Sequence, residues 1–500
     1  MSSQVSRDSD RSGRQATYAT ASWLFLRLLG VAYFTAFWSL AVQILGLVGH
    51  DGILPTRLYL DGARAFVASE GIGIDRYRLL PTLGWLSTSD AFLRGCCYAG
   101  AALSLLLIAG AAPLFVLPLL WFDYLSLSVL CREFLSYQWD ALLLEAGLIA
   151  VFLAPAVWRD RPADRADPPR AARWLMTWLM FRLMVGSGAV KLASGDATWR
   201  GLTALTFHFE TQPLPTPLAW YAHQLPLWFQ KASTAAVFGI ELIAPSFVLG
   251  PRRLRVIAFA LLVGLQLLIA LTGNYAFFNV LSIALCLFLL DDRVFERVAG
   301  QVGRLGQVGR AFQARPIAAL KGPRHLATIA FAVITVPVSL MTFAGSLGVG
   351  FAPPFVRDAA DFIAPFRSVN GYGLFAVMTT TRDEIVVEGS NDGERWQAYE
   401  FPFKPGDPNR RPPWVAPHQP RLDWQMWFAA LTSYTDARWF HNFCLRLLEG
   451  SPHVLALMAF NPFRDAPPKY VRGVLYRYRF GRETWWTRER IGEYSPIMSR

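Results

Sequence analysis

Apolar and polar positions divide this chain into two parts of different character. Up to about residue 350, apolar stretches alternate with polar connectors and fall near residues 22–48, 91–112, 113–131, 138–155, 172–192, 232–250, 254–272, 275–290 and 325–348. Each approaches the ~20 residues that a helix needs to cross a bilayer. Several are short, so the pattern admits about seven to ten crossings and predicts about nine. The run from Ser22 to Val48 is too long for a signal-peptide core and reads as a retained first helix.

Beyond residue 350 no such stretch occurs, and the apolar period shortens to two. Glu384–Glu388 (EIVVE) reads as a strand, Ser390–Gly393 (SNDG) as a tight turn, and Arg395–Phe401 as the return strand of a hairpin. Val474, Tyr476, Tyr478 and Phe480 alternate with Leu475, Arg477 and Arg479, as in a half-buried strand. Asp423–Leu431 and Asp436–Leu448 each open on an N-cap residue and carry helical periodicity. The expected fold class is a polytopic α-helical membrane bundle followed by an extramembrane α+β domain with a small antiparallel sheet. Its parts are a disordered tail (1–21), a multi-pass transmembrane domain (22–348) with outer caps at 49–90 and 193–231, and the folded domain (355–490).

Composition agrees, because 53% hydrophobic residues, 17% charge and a mean hydropathy of +0.30 are too apolar for one soluble core of this size. The net charge of +12 raises nucleic acid as a partner, but the basic residues sit between apolar stretches and form no patch interleaved with aromatics. The expected neighbour is instead the lipid bilayer, and no nucleic-acid partner is expected. Basic residues collect on one side: Arg7, Arg11 and Arg14, then Arg159, Arg161, Arg165, Arg170 and Arg173, then Arg252, Arg253 and Arg255, then the 293–324 loop. The opposite loops hold few, which predicts a cytoplasmic amino terminus and a carboxy-terminal domain on the far side of the membrane. The loops 49–90 and 193–231 are rich in proline and aromatics, as befits structured caps on the outer face.

Ionisable residues inside apolar stretches are the candidate sites, since each costs at least ~2.5 kcal/mol to insert. They are Arg27, Asp123, Asp140, Glu145, Arg182, Lys191 and Glu241. Interhelical ion pairs that fix packing are the simplest reading, and Arg27 reads as a topology signal. Lys191 follows Gly186, Ser187, Gly188 and Ala189, small residues that let a neighbouring helix approach. It reads either as a desolvated base or as a lysine snorkelling to the outer headgroups. Arg182 and Lys191 lie about 180° apart at ~3.6 residues per turn, so they should not share a pocket. In TFHFET, His208 and Glu210 would share one face of an extended segment and suit a proton relay or a metal, or only local hydrogen bonds. His418, Arg421 and Asp423 lie in a proline-stiffened segment expected to pack on the membrane domain or to bind clients.

Of five cysteines, only Cys131 and Cys444 are placed for oxidation, and there is no CxxC. No metal site, no cofactor site and no P-loop, GxGxxG or GxSxG motif is recognisable. Nor is there an internal repeat of the kind a transporter carries.

Four long blocks resemble the lipase maturation factors: Phe134–Pro155, Phe181–His223, Asn370–Gly393 and Arg410–Leu431. The similarity runs from about Leu24 to Phe480. It implies a membrane-bound folding factor for exported proteins such as secreted lipases, in the endoplasmic reticulum membrane, or in the inner membrane of a bacterial host. The GSGAVKL stretch around Lys191 also faintly resembles the vitamin K-dependent gamma-glutamyl carboxylases, which implies the alternative of an enzyme with Lys191 as base.

Overall fold

The computed structural model describes residues 16–161, 167–302, 323–350 and 352–500. The expected tail lies outside the described residues as far as residue 15, as do Arg165, Arg304, Arg310, Arg315 and Lys321. All nine apolar stretches are helical: α1 (Ala19–Ala41), α2 (Asp90–Ala109), α3 (Pro113–Cys131), α4 (Gln138–Leu153), α5 (Arg170–Ala193), α6 (Leu227–Phe238), α7 (Arg252–Thr272), α8 (Phe278–Cys286) and α9 (Pro323–Ser346). Among the described residues seven helices are long and apolar enough to cross a membrane, counting α6 with its extension to Leu249. The other two, α4 and α8, are shorter, at 16 and 9 residues. The chain is an integral membrane protein.

Local chemistry sets several of these boundaries. Ser89 caps α2 by accepting the Phe92 N–H, and Gly110 ends it in the left-handed region at φ 77°. Gly100 lets α2 lie directly on α1, since a Cβ there would stand 2.3 Å from the Phe37 ring. Asp140 in the first turn of α4 and Glu145 beyond it are buried, as are most residues of this short helix.

The caps are built of short helices. Thr56–Ser69 starts directly after Pro55, and the second cap contains Ala197–Arg200, Ala204–Thr211 and Pro217–His223, the last with proline at its first turn. The second cap is tied to the end of α7, where Gln212 Nε2 donates to Thr272 O (2.8 Å) and Thr216 Oγ1 to Leu271 O (2.6 Å).

The carboxy-terminal region is α+β. Strands β1 (Arg382–Ser390), β2 (Gln397–Ala398), β3 (Tyr470–Phe480) and β4 (Trp486–Glu493) form an antiparallel sheet in the order β2-β1-β3-β4, with β5 (Met498–Ser499) on β3. The SNDG turn forms, with Ser390 Oγ accepting the N–H groups of Asp392 and Gly393 and with Gly393 at φ 79°. The expected return strand is only two residues long, however, and β1 finds its main partner in β3, from Arg382↔Tyr478 to Ser390↔Tyr470. Helices α10 (Arg421–Ala430) and α11 (Arg438–Glu449) pack on β1 and β3. A single buried apolar cluster runs from Phe25, Tyr33 and Tyr124 in the bundle through Trp139 to Trp424 and Phe440.

Candidate functional site

Three buried ion pairs account for most of the intramembrane charges. Asp140, in the first turn of α4, receives Arg421 from α10 through both guanidinium ends, Nη1 to Oδ2 at 2.6 Å and Nη2 to Oδ1 at 2.9 Å. Tyr124 Oη donates to the same carboxylate. Glu145, one and a half turns further along α4, pairs with Arg182 of α5 and also accepts Tyr372 Oη (2.7 Å) and the Asn370 N–H (3.0 Å). Lys191, near the end of α5, donates to both oxygens of Glu241, at 2.7 and 2.6 Å. Arg182 and Lys191 therefore occupy separate sites, as their helical phase requires. Arg27 pairs with Asp160, and Asp123 leaves Oδ1 without a partner.

The Lys191 site is shaped by an irregular helix. Directly after α6 the chain takes one π turn at Gly239–Ile243, of the kind that recurs at functional sites, and this turn carries Glu241. Gly188 makes room for it: a Cβ there would stand 2.9 Å from Leu242 and 3.0 Å from the Glu241 Cβ. The Lys191 ammonium also lies 5.2 Å from the centre of the Trp199 ring. Lys191 does not snorkel to the surface; its side chain is 7% exposed. Nor is its nitrogen free to act as a base while both Glu241 oxygens hold it. The adjoining cavity, shared with His208, Tyr275 and Phe375, measures about 100 Å³. Ligand pockets start at roughly 300 Å³, so this one suits a few waters better than a substrate.

His208 and Glu210 do not share a face. TFHFET is helical within Ala204–Thr211, and two helical residues apart means about 200° apart. Its alternation of aromatic and polar residues imitates a strand, but Pro213 and the packing of the cap against α7 fix a short helix instead. His208 turns inward, with Tyr275 Oη 3.4 Å from its Nε2 and the Phe375 ring 4.8 Å away. Glu210 turns to the carboxy-terminal region, where it accepts the Phe480 N–H (2.8 Å) and lies 3.8 Å from His223. Among the described residues no group of His, Cys, Asp and Glu is placed to hold a metal. All five cysteines are free and buried, Cys131 and Cys444 included.

Burial, with the Lys191 charge nearby, pushes His208 down to about 4 from its ordinary 6.5. A depressed histidine adds stability that is complete above the unfolded value of 6.5 and is lost as pH falls through about 4. The purified protein is therefore expected to lose roughly 2–3 kcal/mol between neutral pH and about pH 4 through this group. His208→Gln should flatten that part of the pH–Tm curve; an unchanged slope would contradict it.

Arg421 lies in the proline-stiffened segment expected to pack on the membrane domain or to bind clients, and it packs there on Asp140. Residues outside the predicted set complete the interface between bundle and sheet. Arg382, buried at the start of β1, donates to the carbonyls of Glu210 (2.7 Å), Gln212 and Pro213 (2.8 Å) in the second cap and pairs with Glu384. Asn274 accepts the N–H groups of Val415 (2.8 Å) and Ala416 (3.0 Å), while Ser39 of α1 and Gln43 just beyond its end hold Gln419 and Arg421. His418 Nδ1 lies 3.0 Å from Ser39 Oγ, while Asp423 accepts the Phe403 and Lys404 N–H groups. The segment 413–421 is thus clamped into the bundle by buried polar groups from α1, the α3–α4 region and the α7–α8 connection.

A helical membrane bundle clamped to an α+β domain through a buried ion pair and buried hydrogen bonds defines the class as a polytopic membrane protein with a docked extramembrane domain. Residues 20–297 match the family model described as the lipase maturation factor transmembrane domain, and residues 368–496 match the lipase maturation factor C-terminal domain. The chain is similar to lipase maturation factor 2 of Gallus gallus, at 36% identity over 590 residues, covering 95% of this chain and 81% of the relative. It is 34% identical over 512 residues to lipase maturation factor 1 of Bos taurus, covering 97% of this chain and 90% of the relative. Lipase maturation factor 2 of Homo sapiens is 34% identical over 594 residues, with 95% and 82% covered. No solved structure matches. The chain belongs to the lipase maturation factor family, and these matches do not favour the carboxylase alternative.

Proposed function

We propose that this protein is a membrane-embedded maturation factor that assists the folding and assembly of exported proteins, with secreted lipases as the client class. Similarity over 95% of the chain to proteins named lipase maturation factor carries this reading. The charge asymmetry of the loops supports a cytoplasmic amino terminus and a carboxy-terminal domain facing the lumen or periplasm. The membrane is that of the endoplasmic reticulum in a eukaryotic host, or the inner membrane in a bacterial one. On this reading Asp140, Glu145, Arg182, Lys191 and Glu241 hold the fold together and do not turn over a substrate.

The β4 edge carries Arg488, Glu489 and Arg490, charges that discourage edge pairing and so disfavour client recognition by strand addition. The second cap offers a better surface. Tyr221, Leu225, Leu227 and Trp228 are 58%, 42%, 54% and 70% exposed along its rim. Co-expression with a dimeric secreted lipase, in cells lacking their own factor, should raise active secreted lipase several-fold. The Leu227→Ser, Trp228→Ser double variant should lose most of that gain while accumulating normally. Equal lipase activity with and without the wild-type protein would refute the reading.

A further inference from the structure

Two sizeable spaces lie away from Lys191, around the strap of residues 371–379 that connects the membrane bundle to β1. On one side of this strap is a chamber of about 490 Å³ between α4, α10 and the second cap. Its walls are aromatic: Tyr137, Trp139, Phe375, Trp424, Trp427 and Phe428. On the other side is an open space of about 420 Å³ between the ends of α5 and α9, bordered by Val190, Ser194, Ser346 and Leu347. The two meet at Gln138, Gly373 and Ala376, which line both.

Two features say what fits there. Trp139 and Trp424 are 1% and 3% exposed, their rings 4.7 Å apart, and both indole N–H groups lack an acceptor. These N–H groups are sealed from the chamber, so what the pair presents to an occupant is an apolar aromatic wall. The second feature is the entrance. Directly after α9, helix Pro354–Ile363 is amphipathic and leaves Phe355 and Phe362 71% and 59% exposed, as a helix lying in the headgroup region does. The opening beside Ser346 and Leu347 therefore stands at the lipid interface.

We propose that the chamber binds an acyl chain of a membrane glycerolipid. The lipid enters sideways between the ends of α5 and α9 and passes Ala376, and its acyl chain lies against the aromatic walls. The combined space falls in the ~300–1,000 Å³ range of small-molecule sites. Glu133 is the charged residue lining the chamber, and no basic side chain lines it, so a zwitterionic headgroup fits better than an anionic one. This site is independent of the identity of any client.

The test uses the full-length protein in phosphatidylcholine vesicles containing a trace of phosphatidylethanolamine with a diazirine in one acyl chain. After irradiation, adducts are expected on residues 371–379 and 421–431, and Ala376→Trp, which fills the neck, should reduce them several-fold. Adducts confined to outward-facing span residues such as Leu268 and Val333, identical in wild type and variant, would overturn the proposal. Cross-linking of the same two segments to a co-expressed exported protein, with no lipid adduct, would overturn it in favour of a peptide groove. The wild-type map decides by itself if Ala376→Trp fails to accumulate.

Discussion

Arg421→Ala is expected to prevent accumulation of the folded protein. The Arg421 guanidinium is fully buried, and its Nη1 and Nη2 donate to Asp140 and to the Phe134 carbonyl (2.9 Å). Truncation leaves the Asp140 carboxylate buried with only Tyr124 to hydrogen-bond it, at a cost of roughly 3–5 kcal/mol. That is a large share of the ~5–15 kcal/mol by which proteins are stable. Because the pair joins α4 to α10, the first consequence should be release of the carboxy-terminal domain, followed by cleavage in the strap at residues 371–379. Arg421→Lys should recover little, since an ammonium cannot reproduce two parallel hydrogen bonds to one carboxylate. Limited proteolysis and Tm in detergent measure both effects; a wild-type Tm for Arg421→Ala would show that the pair does not hold the domains together.

The spans were legible because hydrocarbon admits only helices whose backbone groups are satisfied internally, so apolar length alone reports them. Small residues were informative for a similar reason. Gly186 and Gly188 do mark close approaches: a Cβ would stand 2.9 Å from Tyr372 O at the first and 2.9 Å from Leu242 at the second. The ionisable residues were recognisable as buried, but their partners were not. Asp140 and Arg421 stand 281 positions apart, and the arginine belongs to a segment with no apolar signal of its own. Nothing in local period or spacing connects such positions.

The same limit explains the sheet. The turn chemistry of Ser390–Gly393 acts within four residues and is readable, whereas the pairing of β1 with β3 depends on how the intervening helices fold back. His208 failed for a different reason. A short aromatic–polar alternation fits a strand and one face of a short helix equally well, and tertiary context chose the helix. Arg382 gave no usable signal, because an arginine at a strand start is ordinary until cap carbonyls are found around it.

Lys191→Ala and Glu241→Ala are each expected to lower stability by roughly 3–5 kcal/mol, because either leaves an unpaired charge at a buried site. Lys191→Met combined with Glu241→Gln removes both charges while keeping the volume, and should restore most of the loss. The double variant separates two roles that either single variant confounds. If the pair only joins the π turn of Gly239–Ile243 to α5, active secreted lipase should track the amount of folded factor in all three variants, and the double variant should approach wild type. If Lys191 supplied chemistry, the double variant would fold with a wild-type Tm and yield no active lipase. The 100 Å³ cavity beside the pair favours the first outcome, because it leaves space for water but not for a reacting polypeptide or lipid.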